Sequence, residues 1–344
     1  MYQIFNFDDL FKDQNNLRDA SVILGNGASI AVDDCFKYNN LFEQACKDSI
    51  LNQTSKSLFK ALKTNDFELV MNKLRQACIV NKVLNLDSEK VAMKTYDNIR
   101  SSLIEAVEET HVNYNDVKEQ IKNISNFLGK FSTVISLNYD LLVYWAIIES
   151  NKEKHCKMKD CFCNDTADNG DLEFRYDINE LSKPNNEGIK PTLVFYPHGN
   201  LILASNENNN DVKIKVNKHN NLLYEINSKW EQNYVPRFVS AGDSEQKLKS
   251  IRGSTYLKFV YENILPNLGE KVIIYGWKMA KQDQHLVKKI FNEGNIKEVY
   301  ISIYIKNRNN CHEEQDRIIN CLKKERENID IKFFDAKSKN CWCY

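Results

Sequence analysis

The sequence predicts an α/β protein: a mostly parallel, Rossmann-like sheet with helices on both faces and an added helical layer. Three observations predict it. Short apolar, β-branched runs recur along the chain, helical patterns separate most of them, and a polar or glycine-containing motif follows each run at once. Strands alternating with helices argue for parallel pairing through crossovers. In such sheets ligands sit beyond the carboxyl ends of the strands.

The first strand is Ser21-Val-Ile-Leu-Gly25, running into Gly25-Asn-Gly-Ala-Ser29. From Asn40 to about Lys130 the chain reads as helical. Phe67, Val70, Leu74 and Ala77 share one face of the segment 66–78, and Val91, Tyr96, Ile99, Leu103 and Val107 repeat that period. Almost no glycine and no proline interrupt this block, so it is expected to form a layer packed on the sheet. Phe131-Ser-Thr-Val-Ile-Ser-Leu137 is a second strand, ended by Asn138-Tyr-Asp140, and an apolar helix follows from Leu141 to Ile148.

Residues 151–190 are polar and irregular and read as a long loop or insertion. Thr192–Pro197 is a strand leading into His198-Gly199. Leu201–Ala204 and Val212–Val216 suggest a small hairpin. Lys271–Tyr275 before Gly276, Glu298–Tyr304 and Ile331–Phe334 are further strands, with helices at Ser254–Leu265, Gln284–Asn292 and Glu313–Arg326. One domain over 1–344 is expected. Residues 17–36, 131–150 and 191–335 form its nucleotide-binding core, and 40–130 its helical insertion.

Composition narrows the function. Lys plus Arg and Asp plus Glu balance at 47 each, so no net field favours direct binding of nucleic acid or an anionic membrane. Lys323, Lys324 and Arg326 are interrupted by Glu325 and Glu327, as on a solvated helix face. No apolar run approaches the roughly 20 residues that span a bilayer. The stretch from Met1 to Asp13 does not read as a secretory signal. The ten cysteines are scattered and are expected to be free thiols, with the cytoplasm as the compartment.

Four motifs carry chemistry. Gly25-Asn26-Gly27-Ala28-Ser29 is a strand-ending turn whose glycines would let backbone N–H groups meet a pyrophosphate, with Ser29 as a further donor. A plain tight turn fits the same residues. Asn138 and Asp140 end the second strand, where a helix cap is the bland alternative. His198, at the end of the third strand and followed by Gly199, is the general-base candidate among six histidines. A loop histidine bonded to a carbonyl is the competing reading. Gly276, with Asp283 seven residues on, repeats the arrangement at a fourth strand end.

Taken in order, these motifs resemble sirtuin-like proteins, and most closely the divergent bacterial sirtuin-like domains of anti-phage defence. Phe238-Val-Ser-Ala-Gly-Asp-Ser-Glu-Gln-Lys-Leu-Lys-Ser-Ile-Arg252 with Ser254-Thr-Tyr-Leu257 is similar to a bacterial branch of that superfamily. The likeness covers about Ser21 to Ser29, Phe131 to Trp145 and Leu193 to Phe291. It implies an NAD⁺ glycohydrolase releasing nicotinamide and ADP-ribose, a gated effector that depletes NAD⁺. On this resemblance Gly25, Asn26, Gly27 and Ser29 would cradle the pyrophosphate. Asn138 would hold the nicotinamide ribose or attacking water, and Asp140 the nicotinamide side. His198 would be the base, with Tyr139 and Gly199 beside it. Gly276 and Trp277 would pass near the adenosine, and Asp283 would order that loop.

The resemblance has gaps. The two paired Cys-x-x-Cys units of sirtuin deacetylases are missing, and Cys156, Cys161 and Cys163 have no zinc-ribbon spacing, so no metal is expected. Trp277-Lys278 stand where relatives often have a polar residue and a serine. The alternatives are a catalytically weak nucleotide-binding sensor or regulatory subunit, and a protein deacylase. The expected partners are a homo-oligomer, or a heteromeric complex with an infection- or nucleotide-sensing protein, contacting the 40–130 block.

Overall fold

The computed structural model describes residues 2–11, 17–37, 41–152, 158–163, 171–184, 188–215, 222–232, 234–239, 242–305 and 308–344. In chain order its strands are β1 (Ile4–Phe5), β2 (Leu17–Leu24), β3 (Phe131–Ser136), β4 (Met158–Lys159), β5 (Phe162–Cys163), β6 (Leu172–Phe174) and β7 (Thr192–Phe195). There follow β8 (Gly199–Ser205), β9 (Asp211–Lys213), β10 (Val235–Phe238), β11 (Lys271–Tyr275), β12 (Glu298–Ile303) and β13 (Asp330–Asp335).

Eight strands form one parallel sheet in the order β1-β13-β12-β11-β2-β3-β7-β4. The α/β class and the parallel sheet read from the sequence are therefore observed. Each central strand is buried on both faces, as helices on both sides of a parallel sheet require. Val22, Ile23 and Leu24 of β2 and Val272, Ile273 and Ile274 of β11 are fully buried. From β2 the chain moves out to β3, passes to the edge strand β4 and returns to β7 between them, then resumes at β11 against the other edge of β2 and steps outward through β12 to β13. The order reverses between β2 and β11.

The other five strands form an antiparallel sheet, β10-β8-β9-β6-β5. The expected hairpin is its centre, β8 with β9. The region 151–190, read as a loop, instead supplies β4 to the large sheet and β5 and β6 to the small one. These strands are two or three residues long, too short to show a period. The chain passes from one sheet to the other within Tyr196-Pro197-His198.

The helical block is present as Leu41–Lys47, Gln53–Ala61, Phe67–Val83, Ser88–Thr110 and Lys118–Leu128. Phe67, Val70 and Leu74 face inward together with Met71 and Cys78, whereas Ala77 is only half-buried. Tyr96, Ile99, Leu103 and Val107 are buried as expected, but Val91 is 66% exposed. The period holds there but the helix has by then left the body. Buried Arg237 on β10 pairs with Glu68 of this block and, at 2.7 Å, with Asp211 on β9, joining the layer to the small sheet. Cys341, Trp342 and Cys343 are buried, and Trp342 Nε1 donates to the Ala28 carbonyl at 2.8 Å. Among the described residues no helix is long and apolar enough to cross a membrane.

Candidate functional site

The Gly25–Ser29 turn closes β2 and opens the helix Asn26–Val32, with Gly25 as its cap. The turn lies directly on the end of β11. Gly25 N–H donates to the Tyr275 carbonyl at 3.0 Å and Gly27 N–H to the Gly276 carbonyl at 2.8 Å. A Cβ on Gly25 would stand 2.5 Å from Trp277 Cα, and one on Gly27 would stand 2.8 Å from Gly276 Cα. The glycines are thus required by a backbone–backbone crossing. The two N–H groups expected to meet a phosphate are already engaged. Gly276 itself has φ +69°, a conformation cheap only for glycine, and its N–H donates to Ser302 Oγ at 3.0 Å.

Ser29, Asn138 and Asp140, far apart in sequence, meet because β2 and β3 are paired neighbours. Ser29 Oγ donates to Asp140 Oδ2 at 2.5 Å and accepts from Asn138 Nδ2 at 2.8 Å, and the same amide donates to the Gly25 carbonyl at 3.0 Å. Asp140 Oδ1 accepts from Leu142 N–H at 3.0 Å, so it also begins the helix Leu142–Lys152. All three side chains are buried. Burial raises the Asp140 carboxyl above its usual range, opposed by the hydrogen bonds from Ser29 and Leu142. His111 was not singled out from the sequence. Its Nδ1 faces the Val112 carbonyl at 2.8 Å and its Nε2 accepts from Leu141 N–H at 3.0 Å, so its ring is neutral. Burial holds its pKa down.

His198 lies at the corner between the sheets, 4% exposed. Its Nε2 is 3.3 Å from Nε2 of His285, whose Nδ1 is 3.1 Å from Ser244 Oγ. The His198 ring also bonds the Leu137 carbonyl. A carbonyl only accepts, so the protons assign themselves: His198 donates to Leu137, His285 donates to His198, and Ser244 donates to His285. Burial, followed by Lys247, pushes the His198 pKa well below its usual value, against the pull of Asp283. Burial likewise lowers His285 to about 4. Burial alone would raise Asp283, but the Lys247 ammonium at 2.8 Å and the Trp277 indole at 3.1 Å outweigh it and leave it lowered. Asp283 thereby ties the loop after β11 to the helix Ser244–Arg252.

Gly199 has φ +75°, and a Cβ there would stand 2.0 Å from the Arg237 carbonyl oxygen. Its smallness serves the β8–β10 crossing. Tyr139 stacks on Phe238 with centroids 5.2 Å apart, and its carbonyl accepts from Leu201 N–H at 2.9 Å. His285, Ser244 and Lys247 were not assigned a role from the sequence. The available signal was the Asp283-x-His285 spacing.

A cavity of about 950 Å³ opens beyond the ends of β11, β12 and β13, at the point where strand order reverses. Gly27, Tyr275, Gly276 and Trp277 line it, and the exposed rings of Tyr304 and Tyr344 supply aromatic surface. Lys37, Lys278, Lys281, Lys337 and Arg317 face it against only Asp34 and Glu314, five cations to two carboxylates. Asn138, Asp140 and His198 do not line it; Trp277 and Asp283 connect it to the His198 cluster. Among the described residues no group of three or more His, Cys, Asp or Glu side chains could hold a metal ion. Cys161 and Cys163 are free thiols, and His155 and Cys156 lie outside the described residues.

Comparison with curated proteins returns no match. One family profile matches residues 22–342, spanning the sheet, the helical layer and the cavity, and the chain belongs to that family, the domain of unknown function DUF4917.

Proposed function

We propose that the chain is an NAD⁺ glycohydrolase that holds the dinucleotide across the crevice between β2 and β11 and releases nicotinamide and ADP-ribose. The position of the cavity carries this reading. It opens where strands step outward in both directions, the place at which sheets of this connectivity take dinucleotides. Its aromatic surface suits a base, and its excess of cations suits a pyrophosphate. A dinucleotide laid from this crevice across the Gly25–Ser29 turn would point its far end at the strand ends that carry Asn138, Asp140 and His198.

The reaction asks little of the protein. The bond to the cationic pyridinium breaks with oxocarbenium character at the ribose, and water supplies the hydroxyl. Asn138 orients the ribose or water, Asp140 seats the nicotinamide side, and His198 is the base, its Nε2 giving up the hydrogen bond from His285 to take the proton of the attacking water. Continuous NAD⁺ loss is toxic, so the activity is gated, in keeping with an anti-phage effector. One observation favours a second reading, a nucleotide-binding sensor without turnover. Ser29, Asn138 and Asp140 satisfy one another, and the His198 ring is bonded to Leu137 and His285.

Chromatography of NAD⁺ incubated with the protein, alone and with products of neighbouring genes, separates the two. Equimolar nicotinamide and ADP-ribose, lost in His198→Ala, supports the enzyme. Saturable NAD⁺ binding without products supports the sensor. Absence of both binding and products refutes both.

A further inference from the structure

The helices Phe67–Val83 and Ser88–Thr110 pack as an antiparallel hairpin whose free end stands off the body. From residue 79 to residue 95 no side chain is buried. Yet this end is apolar. Ile79, Val80 and Val83 close the first helix, Leu84 and Leu86 lie in the connection, and Val91 opens the second; these six are between 47% and 75% exposed. Scattered exposed apolar residues are ordinary, but these fall within thirteen consecutive positions at one tip. They present on the order of 600 Å² of surface, at the top of the roughly 300–600 Å² range of the largest patch on an ordinary monomer.

We infer that this tip is a homodimer interface in which two hairpins pack as a four-helix bundle about a two-fold axis. The occupant follows from area and charge. Two such patches face to face, if wholly covered, remove up to about 1,200 Å² from water, the lower bound of a specific protein–protein interface. Lys82 and Lys90 stand among the same residues as Asp87 and Glu89. Both signs are therefore present on one patch, and a two-fold axis can set each cation against a carboxylate of the other copy. A partner of one net charge would leave half of these groups opposed by like charge. Helical hairpins joined in this way bury a stripe that neither can bury alone. The interface lies on the helical layer and does not depend on any activity of the chain.

Sedimentation equilibrium or light scattering of the full chain tests the inference. The chain runs at twice its 40.1 kDa mass at tens of micromolar. Val83→Asp combined with Leu84→Lys halves that mass, as does Val91→Glu on the opposite helix, and both variants keep the parental circular dichroism spectrum because these side chains are exposed in the single chain; their thermal midpoints fall only by the part of the parental midpoint that rises with concentration. A parent chain that stays at 40.1 kDa over this range overturns the inference, as do variants that fold and remain dimeric. A variant that loses its fold together with its dimer also counts against it, since the tip would then belong to the chain's own core.

Discussion

Replacing Gly276 by alanine separates the two explanations of the glycines between β2 and β11. The new Cβ would stand 2.3 Å from Ala28 N, and the residue holds φ +69°. Both neighbours are backbone, so no side chain can rotate away. Left-handed backbone costs an alanine about 1 kcal/mol relative to glycine, and forcing the crossing apart costs about 1–3 kcal/mol more. The expected loss is about 2–4 kcal/mol, a large share of the roughly 5–15 kcal/mol that holds a domain together. Gly27→Ala lacks the conformational cost, since no positive φ is found there, and should lose about 1–3 kcal/mol through its 2.8 Å approach to Gly276. Urea unfolding reads both as a lower midpoint at unchanged slope. Parental midpoints for both variants would refute the packing account. Parental stability with abolished NAD⁺ binding would return the glycines to a ligand cradle.

Two other predictions concern buried charge. Arg237→Met leaves Glu68 and Asp211 buried without their cation and should cost about 3–5 kcal/mol by urea unfolding, loosening the helical layer from the small sheet. His285 has a folded pKa of about 4 against an ordinary 6.5, so the fold favours its neutral form. Its contribution is fully present above pH 6.5 and is lost as pH falls toward 4, when the unfolded chain takes up the proton and the folded chain does not. Asp283 and Lys247 face this ring and act in opposite senses on it, and His198 and His111 are shifted in the same direction as His285. The stability difference between pH 7 and pH 5 should shrink by about 1–2 kcal/mol in His285→Gln. An unchanged difference would mean that His285 titrates normally.

The large sheet was legible because its central strands are buried on both faces, so each appears as an unbroken apolar run ended by a polar motif. β10 was not, because Val235-Pro236-Arg237-Phe238 carries a proline and a charge inside a strand. That charge is tolerated only because Glu68 and Asp211 reach it from elsewhere in the chain. The same limit applies at the site. Ser29, Asn138 and Asp140 were each recognisable by type and position, but their mutual bonding depends on the β2–β3 register. His285 sits in the helix Gln284–Val287 and looks like any polar helix residue until Ser244 and His198 are brought beside it. The glycines announced a close approach without saying to what, and in the structure the approaching group is the end of β11.

The most direct test of a dinucleotide site in the crevice is a crystal structure of the chain with a non-hydrolysable NAD⁺ analogue, which needs no activating partner. The account predicts adenosine against Trp277 and Tyr304, the pyrophosphate facing Lys278 and Lys281, and the nicotinamide end directed past Ser29 toward Asn138 and His198. An analogue bound elsewhere, or a crevice left empty at saturating analogue, would contradict it.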